Sequence, residues 1–347
     1  MMADILLRDG KTIGSYKKPY IIAEVNSSHN GNIGVAKEMI LKAKEAGCDC
    51  VKFQSWSTDS LYSKDYYDSN PIAKRIISKF SLPETELLEL SRYCNEIGIS
   101  FSSTPYSRGE VDFLVNECNV PYIKIASQDV NNYPYLEYIA SKNVPIILST
   151  GMAELDEIKK AVAVIEKQGN RKIILLHCIS IYPAEPETIN LNNIVGLREI
   201  FSDYPVGFSD HSLGTEMAVA ATALGSCAVE KHLTLDKSKM GMDNNMAIEP
   251  EEMKTLVHGC HNVFSAMGNK ERMVSAEEYE QRKKMRRSIV FARNLPAGHK
   301  LSIKDMDFKR PGTGLAPELT DSLVGRVLSR DVEADRLISQ DDISGEL

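Results

Sequence analysis

The sequence lacks the marks of several protein classes. No apolar run reaches the ~18 residues of a membrane helix, and the first segment, MMADILLRDGKTIG, has no signal-peptide core. The seven cysteines are an odd number with no C-x-x-C pair, which predicts reduced thiols that pack as small hydrophobic residues. We therefore expect a cytoplasmic protein that is neither exported nor inserted into a membrane.

Basic residues are also in deficit. The 48 acidic and 41 basic side chains give a net charge of −7, which argues against the basic face that nucleic acid requires. A small anionic ligand is still compatible with this charge, because a few local lysines can outweigh the global sign. The 347 residues, 43% of them hydrophobic, suffice for one large domain and a smaller one.

The sequence does contain a regular alternation of short apolar runs and amphipathic stretches. The apolar runs number eight and lie at 19–25, 49–55, 99–105, 122–127, 144–150, 172–178, 205–211 and 227–233. Helical apolar spacing occurs between them, at 34–47, 83–98 and 154–169. Eight strand–helix units predict an α/β fold of the (β/α)8 TIM-barrel type, with a doubly wound open sheet as the competing architecture. A hairpin over 3–15, with Asp9-Gly10 at its turn, is predicted before the first barrel strand.

The composition changes after residue 268. Residues 269–288 are dense in charge and predict a helical linker, and residues 289–347 predict a small β-rich domain. Within that domain, ARNLPAGHKLSIKDM (292–306) matches SRDVEADRLISQDDI (329–343) at an offset of 37 residues. The match predicts two pseudo-symmetric halves, and the barrel itself is predicted to span 1–268.

Polar residues collect where the predicted strands end, which is where TIM-barrel active sites lie. They are Glu24, Lys52, Gln54, Ser103, Thr104, Lys124, Ser127, Ser149, Thr150, His177, Ser180, Tyr182, Ser209, Asp210, His211, Lys231 and His232. Each has a simpler explanation, because a serine after a strand commonly caps a turn and a lysine commonly extends to water. Lys52 and Lys124, however, interrupt apolar strands, and burial of a lysine is costly unless an anion meets it. Two lysines and several hydroxyls at one mouth predict a receptor for a phosphate and a carboxylate.

His211 and His232 end adjacent predicted strands, so their imidazoles can reach one cation. Two imidazoles with a carboxylate or water suit Mn²⁺ or a similar divalent ion, and Asp210, Asp236 and Asp243 are nearby candidates to complete the shell. Two histidines are a weak metal signal by themselves. The other histidines considered are interpreted as structural, for His177, or as surface residues, for His258 and His261.

Glu24 is an acidic residue within the first barrel strand. An inward carboxylate in an apolar wall is a candidate general acid–base, although pairing with Lys52 for structural reasons is the alternative. The polar and aromatic segment 56–70 follows the second strand and is predicted to be a loop. Such a loop either folds over a substrate or is an exposed excursion.

Nine motifs occur in a fixed order. They are IIAEVNSSHNG, VKFQ, SSTPYSR, KIASQDVNNYP, ILSTGM, HCISIYPAEPETINL, GFSDHSLG, EKHLTLD and KRPGTG. Together they resemble the sialic acid synthase family, the nonulosonic acid synthases that use phosphoenolpyruvate (PEP), over nearly the whole chain. The C-terminal domain resembles the family's antifreeze-like SAF module.

The resemblance implies a reaction and a set of roles. PEP would condense with an open-chain N-acetylated hexosamine, such as N-acetylmannosamine or a 2,4-diacetamido-trideoxyhexose, giving a nine-carbon 2-keto acid and phosphate. The implied PEP-binding residues are Lys52, Thr104, Lys124, Ser127, Ser149, Ser180 and Ser209. The implied sugar-binding residues are Gln54, Asp129, Tyr182, Asp243 and Arg310. The implied catalytic residues are Glu24, Lys52 and Lys124, and the implied ligands of Mn²⁺, with Mg²⁺ or Co²⁺ as alternatives, are His211 and His232.

The resemblance also implies an assembly. Arg310 belongs to the C-terminal domain and would reach the N-acetyl group of the sugar in the partner subunit's barrel. This arrangement implies a domain-swapped homodimer.

Several positions depart from the family pattern. Ser28 stands where asparagine is usual, and Met242 and Asn244 stand where proline and histidine are usual. Asp129 and Ser180 also differ from many members. These positions are expected around the sugar rather than around PEP, so neuraminic, legionaminic and pseudaminic acid synthesis all stay open. An aldolase or synthase acting on a phosphorylated sugar and a non-catalytic PEP- or sugar-binding protein are the alternative functions.

Overall fold

The computed structural model describes residues 4–239 and 241–345. Residues 1–3, 240, 346 and 347, which the predicted hairpin and domain ranges include in part, lie outside the described residues. The chain divides into two compact units, Met1–Gly268 and Asn269–Leu347. Within the described residues, no helix combines the length and the apolar character needed to cross a bilayer.

A short hairpin precedes the barrel. Strands β1 (Asp4–Leu6) and β2 (Thr12–Gly14) pair antiparallel, as predicted, and Gly10 at the turn has a φ of 85°. Ile5, Leu7 and Ile13 of this hairpin are buried in a cluster with inward residues from the amino-terminal half of the barrel strands. The hairpin therefore closes the amino-terminal end of the barrel, so the opposite end is the open one.

The predicted (β/α)8 barrel is confirmed. Its strands are β3 (Tyr20–Glu24), β4 (Cys50–Gln54), β5 (Ser100–Thr104), β6 (Ile123–Ile125), β7 (Ile146–Ser149), β8 (Ile173–Cys178), β9 (Val206–Asp210) and β10 (Ala228–His232). They form one parallel sheet in the order β5-β4-β3-β10-β9-β8-β7-β6, and β5 and β6 lie side by side at the remaining seam. Each strand lies within the apolar run that predicted it, because residues buried on both faces leave a continuous apolar signal.

Twelve helices of the first unit, among its described residues, connect or follow the strands. They are α1 (Ile33–Ala46), α2 (Thr58–Leu61), α3 (Lys64–Ser69), α4 (Pro71–Phe80), α5 (Glu84–Ile97), α6 (Arg108–Asn116), α7 (Tyr133–Ser141), α8 (Leu155–Lys167), α9 (Pro186–Ile189), α10 (Asn192–Ile200), α11 (Glu216–Ala223) and α12 (Pro250–Met267). The predicted helices at 34–47 and 83–98 end at Gly47 and Gly98, whose φ angles of 90° and 76° only glycine adopts readily. All seven cysteines are free and buried, as the sequence predicts.

The prediction of a loop over 56–70 is wrong. The segment forms α2 and α3 and runs into α4. The side chains of Ser57, Ser63 and Asn70 each accept backbone hydrogen bonds at a helix amino terminus. These caps are visible in the sequence, but the helices are too short to show apolar periodicity, so polarity alone misleads.

The second unit contains α13 (Ala276–Met285), α14 (Thr320–Leu323) and the antiparallel strands β11 (Ser288–Phe291) and β12 (Met306–Lys309). The predicted linker 269–288 is helical over α13 only, and residue 288 already belongs to β11. The unit has its own core, which includes Ile289, Phe291, Leu301, Leu323 and Ile338.

The predicted pseudo-symmetry of the second unit is visible in two buried carboxylates. Asp305 accepts hydrogen bonds from the backbone and hydroxyl of Ser302 at 2.9 and 2.8 Å, and Arg293 Nη2 lies 2.7 Å from it. Asp342 repeats the arrangement with Ser339, 37 residues further on, at 2.8 Å for both bonds. Burial by itself raises the pKa of Asp305, but these bonds and one from His299 outweigh it and hold the pKa well below the ordinary value.

Asp305→Asn is predicted to destabilise the second unit, most strongly at neutral pH. A depressed pKa contributes stability above the unfolded-state pKa of about 3.9, and this contribution is lost as the pH falls below that value. Urea unfolding should show a loss of roughly 2 kcal/mol at pH 7 that shrinks toward pH 3. Asp307→Asn is the control, because Asp307 is exposed and its side chain accepts a hydrogen bond from the amide of Phe308. An Asp305 effect that is independent of pH would contradict the assignment.

Candidate active site

A cavity of about 340 Å³ lies at the carboxyl ends of the barrel strands. The predicted residues that line it are Glu24, Lys52, Gln54, Thr104, Lys124, Ser127, Ser149, Ser180, Tyr182, Ser209, His211, His232 and Asp243. They come from every strand of the barrel or from the segment that follows it, which is why no local stretch of sequence contains the site. Lys52 and Lys124 thus share one cavity with His211 and His232.

Two predicted sugar-binding residues are not among the lining residues. Asp129 lies next to Gln128, which does line the cavity, and Asp129 accepts a hydrogen bond from Asn132 at 3.1 Å. Arg310 belongs to the second unit. Its role at a partner subunit's site stays a prediction.

Several strand-end residues point away from the cavity, which corrects their inclusion. Ser103 alternates with Thr104, so it faces outward and bonds Ser55. Thr150 donates its hydroxyl hydrogen to Leu176 O at 3.0 Å. His177 contacts Ile189 O through Nε2 at 2.6 Å, in agreement with its interpretation as structural.

Two of the suggested carboxylate ligands are also turned away. Asp210 is fully buried outside the cavity and pairs with Lys231, Nζ to Oδ2, at 2.9 Å. Asp236 accepts hydrogen bonds from Ser238 instead of facing the histidines. Asp243 alone of the three aspartates lines the cavity.

Glu230 is the main residue that the sequence reasoning missed. Its Oε1 lies 3.1 Å from Lys124 Nζ and accepts a hydrogen bond from Ser209 Oγ at 3.0 Å, and its Oε2 lies 3.7 Å from Lys52 Nζ. Glu230 precedes His232 by two residues in β10, so strand alternation places both on the inner face. The two-residue spacing from His232 could have identified Glu230 as an inward residue from the sequence.

Glu24 completes the charge cluster. Lys52 contacts its Oε2, while Gln54 Nε2 and the Asn26 amide donate to its Oε1 at 3.0 and 3.1 Å. The orientation of Gln54 is fixed in turn by Trp56 Nε1 and the Tyr106 hydroxyl, which donate to its Oε1 at 3.0 and 2.9 Å. Two ammonium groups and two carboxylates therefore balance one another inside the barrel.

The four buried charges have different proton affinities. Burial disfavours the ionised form of Glu230, but Lys124 and Lys52 outweigh it and lower its pKa. Burial raises the pKa of Glu24, and although Lys52 opposes this shift, repulsion from Glu230 adds to it. Burial lowers the pKa of Lys124, whereas for Lys52 the two carboxylates outweigh burial and raise it. The cluster therefore contains one firmly ionised carboxylate, Glu230, and one, Glu24, that takes up a proton more readily.

Hydroxyl groups surround the lysines. Thr104 Oγ1 lies 3.1 Å from Lys52 Nζ, and Ser127 Oγ accepts the Gly151 amide at 3.0 Å. Ser149 is 2% exposed and its Oγ has no hydrogen-bond partner among the described residues. A buried hydroxyl with no protein partner at a cavity wall is typical of a group that meets a ligand or water.

His211 and His232 stand side by side, with ring centroids 5.3 Å apart. His211 Nδ1 lies 2.7 Å from Ile179 O, so we assign its proton to Nδ1, which leaves a lone pair on Nε2. Burial, His211 and Lys52 keep the pKa of His232 well below its ordinary value, so this ring is neutral near pH 7. Burial disfavours the protonated form of His211, but Cys178 and the Ile179 carbonyl outweigh burial and raise its pKa, so a metal cation would compete with a proton for this ring. An imidazole with one nitrogen fixed by a carbonyl is a suitable metal ligand once its other nitrogen is deprotonated.

A divalent cation fits this donor set only with help from outside the protein. No cluster of three or more candidate ligand side chains is preassembled within residues 4–239 and 241–345. Asp243 Oδ2 lies 3.8 Å from His232 Nδ1, and Cys178 Sγ lies 3.8 Å from His211 Nδ1. A cation bound to the two imidazoles would therefore complete its coordination shell with oxygen atoms of water or substrate. Such an open, oxygen-rich shell is typical of Mn²⁺ or Mg²⁺, and it differs from a structural site in which protein ligands fill every position.

Two departures from the family pattern contact each other. Ser28 Oγ donates to Asn244 Oδ1 at 2.5 Å, and both residues are buried. The neighbouring residues pair as well, since Asn26 Nδ2 bonds Asp243 and the Met242 amide donates to Ser27 Oγ at 3.1 Å. Hydrogen bonds thus connect the loop after β10 to the loop after β3. Ser28 and Asn244, which depart from the family pattern, form one of these bonds.

Two known protein families match the chain. The NeuB family matches residues 39–272, and the SAF domain matches residues 286–344. The chain belongs to the NeuB family. The resemblance to sialic acid synthases is thereby confirmed, together with the SAF domain.

Relatives of this NeuB-family chain match along its length. The N,N'-diacetyllegionaminic acid synthase of Legionella pneumophila is 37% identical, over 93% of this chain and 94% of that protein. Human N-acetylneuraminate-9-phosphate synthase is 34% identical, over 98% of this chain and 97% of that protein. A solved structure, the N-acetylneuraminic acid synthetase of Leptospira borgpetersenii in complex with citrate, is 32% identical with a TM-score of 0.74, covering 81% of this chain and 95% of that one. These three relatives are synthases of neuraminic or legionaminic acids or of their phosphates.

Glu230→Gln is predicted to leave two buried ammonium groups with a single carboxylate. Removal of one member of a buried ionic cluster should cost roughly 3 kcal/mol of unfolding free energy. Because an anion would then replace the missing charge, inorganic phosphate should raise the melting temperature more in the variant than in the wild type. Glu96→Gln, at an exposed position on α5, is the control. Equal stabilisation of both proteins by phosphate would contradict this account of the cluster.

Proposed function

We propose that the protein is a metal-dependent synthase that condenses PEP with an open-chain N-acetylated hexosamine. The products would be a nine-carbon sialic-acid-type 2-keto acid and inorganic phosphate. The observation that carries the proposal is the single cavity that combines two buried lysines and their hydroxyl neighbours with the adjacent imidazoles of His211 and His232. An anion receptor beside a cation site is what joining PEP to an aldehyde requires.

The anion receptor supports a role in PEP binding. Lys52 and Lys124 would face the phosphate and carboxylate, with hydroxyl donors from Thr104, Ser127, Ser149, Ser180 and Ser209 around them. The unpartnered Ser149 hydroxyl is available for such a contact. Glu230 would hold both ammonium groups in place before PEP arrives, which limits the reorganisation needed on binding.

The imidazole pair supports a role in activating the acceptor. His211 and His232 would hold Mn²⁺, and a divalent cation there would polarise the sugar aldehyde as a Lewis acid. Gln54, Tyr182 and Asp243 line the same cavity and would contact the acceptor, and the centroid of the Tyr182 ring lies 4.3 Å from that of His211. Asp129 and Arg310 would add contacts from its margin and from a partner subunit.

Glu24 is the proposed proton-transfer residue. The methylene carbon of PEP would form the new bond to the aldehyde carbon, and water would add to the carbon that bears the phosphate. The tetrahedral intermediate would then release phosphate by C–O cleavage. Glu24 lines the cavity, and its raised pKa suits a carboxylate that accepts and donates a proton.

The cavity favours an acceptor without a phosphate group. Among its described lining residues the lysine and arginine side chains are Lys52 and Lys124, and both already pair with carboxylates. The lining also includes the apolar residues Leu61, Met152 and Met242. Acetamido and methyl groups suit that surface better than a second phosphate, which supports N-acetylmannosamine or a 2,4-diacetamido-trideoxyhexose over a 6-phosphorylated sugar.

A product assay tests the proposal. The protein would be incubated with PEP, Mn²⁺ and a panel containing N-acetylmannosamine, its 6-phosphate and the 2,4-diacetamido precursors of legionaminic and pseudaminic acids. Phosphate and 2-keto acid should appear in equal amounts with an unphosphorylated acceptor. Preference for the 6-phosphate would overturn the acceptor assignment. Tight PEP binding without turnover on any acceptor would support the non-catalytic binding protein instead.

Arg310→Ala tests the contribution of the second unit. If the guanidinium of one subunit binds the acceptor's N-acetyl group in its partner, the acceptor KM should rise roughly tenfold or more while the PEP KM changes little. Lys309→Ala is the matched control, because Lys309 pairs with Asp335 inside its own unit. A larger rise in the PEP KM than in the acceptor KM would rule out this role.

A further inference from the structure

We propose that Asp210 and Lys231 are positioning residues that fix the spacing and orientation of His211 and His232. This inference rests on the proposed function, in which the two imidazoles hold a divalent cation. Neither residue of the pair lines the cavity, so the proposed action is through the strands that carry the histidines.

The pair cross-links the ends of two strands. Lys231 and Asp210 are opposite each other in the parallel ladder of β10 and β9, and the Nζ–Oδ2 distance is 2.9 Å. Both side chains are 0% exposed. Each residue immediately precedes one of the two histidines, so the link lies one residue from both imidazoles.

Strand alternation puts the cavity-lining residues and the ion pair on opposite faces of β9 and β10. Ser209 and Glu230 face inward and are hydrogen-bonded to each other, Asp210 and Lys231 face outward, and the histidines return to the inner face. The outward Asp210–Lys231 pair therefore links β9 and β10 at the position between the Ser209–Glu230 pair and the two histidines. A shift of one strand against the other at this rung would change the distance between the imidazoles directly.

Ser212 extends the same cluster past His211. Asp210 Oδ1 accepts hydrogen bonds from the Ser212 amide at 2.9 Å and from its hydroxyl at 2.7 Å. Lys231 Nζ also donates to Ser212 O at 2.6 Å. Of the two residues beside His211, Asp210 belongs to the buried ion pair and Ser212 is hydrogen-bonded to both of its members. These bonds restrict the backbone that carries the imidazole.

Stability alone is a poor reason for this pair. Desolvation of two charges offsets their attraction, and replacing a buried ion pair with neutral residues of similar volume is often neutral or stabilising. The hydrogen bonds of this pair instead fix the relative position of the two strand ends. A cation site made of two histidines needs this, because it depends on the placement of both rings. Groups that orient metal ligands commonly change metal affinity by about 10- to 100-fold when they are removed.

The test compares Mn²⁺ binding with PEP binding in the full-length protein. Asp210→Asn combined with Lys231→Met removes both charges and keeps similar volumes, so the chain should fold. Mn²⁺ affinity would be measured by electron paramagnetic resonance titration. PEP affinity would be measured by fluorescence of Trp56, which is the single tryptophan and lines the cavity. We expect Mn²⁺ affinity to fall about 10- to 100-fold while PEP affinity stays within about twofold.

Two control variants separate positioning from general loosening. Asn170 is fully buried, precedes β8 and donates a hydrogen bond to Val144 O. Asn170→Ala removes this bond at the opposite end of the strands from the histidines. It should lower the melting temperature without changing Mn²⁺ affinity, and an equal loss of Mn²⁺ affinity would overturn the proposal. Should the double variant not fold, Ser212→Ala removes only the hydroxyl bond to Asp210, and unchanged Mn²⁺ affinity would then overturn it.

His232→Ala distinguishes failure of this inference from failure of the proposed function. If the double variant binds Mn²⁺ as the wild type does while His232→Ala does not, the positioning role is wrong and the metal site stands. If His232→Ala binds Mn²⁺ as the wild type does, or the wild type binds none, the metal site is wrong and the inference falls with it.

Discussion

The interaction on which the site depends is the bridge that Glu230 makes between Lys52 and Lys124 inside the barrel. Two ammonium groups so deeply buried would be strongly unfavourable without a neighbouring charge of opposite sign. Glu230 supplies that charge from β10, which is two strands from β4 and opposite β6 in the barrel, and Glu24 supplies a second one. The protein can therefore hold an anion receptor ready in an otherwise apolar core, and the same carboxylate that stabilises it limits how positive the empty cavity becomes.

The closed end of the barrel is as important to this arrangement as the open end. The hairpin and the inward apolar residues fill much of the lower half, and the charged inward residues that line the cavity lie in the upper layers. At the open end, inward and outward positions of one strand serve different purposes. In β9 and β10 the inner face presents hydroxyl, carboxylate and imidazole groups to the cavity, while the outer face holds the Asp210–Lys231 pair among the surrounding helices.

Much of this was readable from the sequence because it follows from local rules. Apolar runs with β-branched residues predicted every barrel strand, and the lysines that interrupt them predicted a buried anion site. The errors occurred where a side chain's direction or a partner decided the outcome. Ser103 was grouped with the site although its neighbour Thr104 takes the inward position. Glu230 was passed over, although its spacing from His232 places it on the inner face. The segment 56–70 was predicted as a loop because capped helices of a few residues leave no periodic pattern.

The sequence by itself determined the number and order of the strands, the separate C-terminal unit, its internal repeat and the kinds of chemical group delivered to the strand ends. These properties depend on hydrophobic periodicity, turn residues and residue type, which act over a few neighbouring positions. Only the tertiary structure decided that Ser28 meets Asn244, that Glu230 joins two lysines and that Lys231 turns outward to Asp210. Those contacts join residues from 21 to 216 positions apart, and closure of the barrel, rather than any local preference, brings them within hydrogen-bond distance.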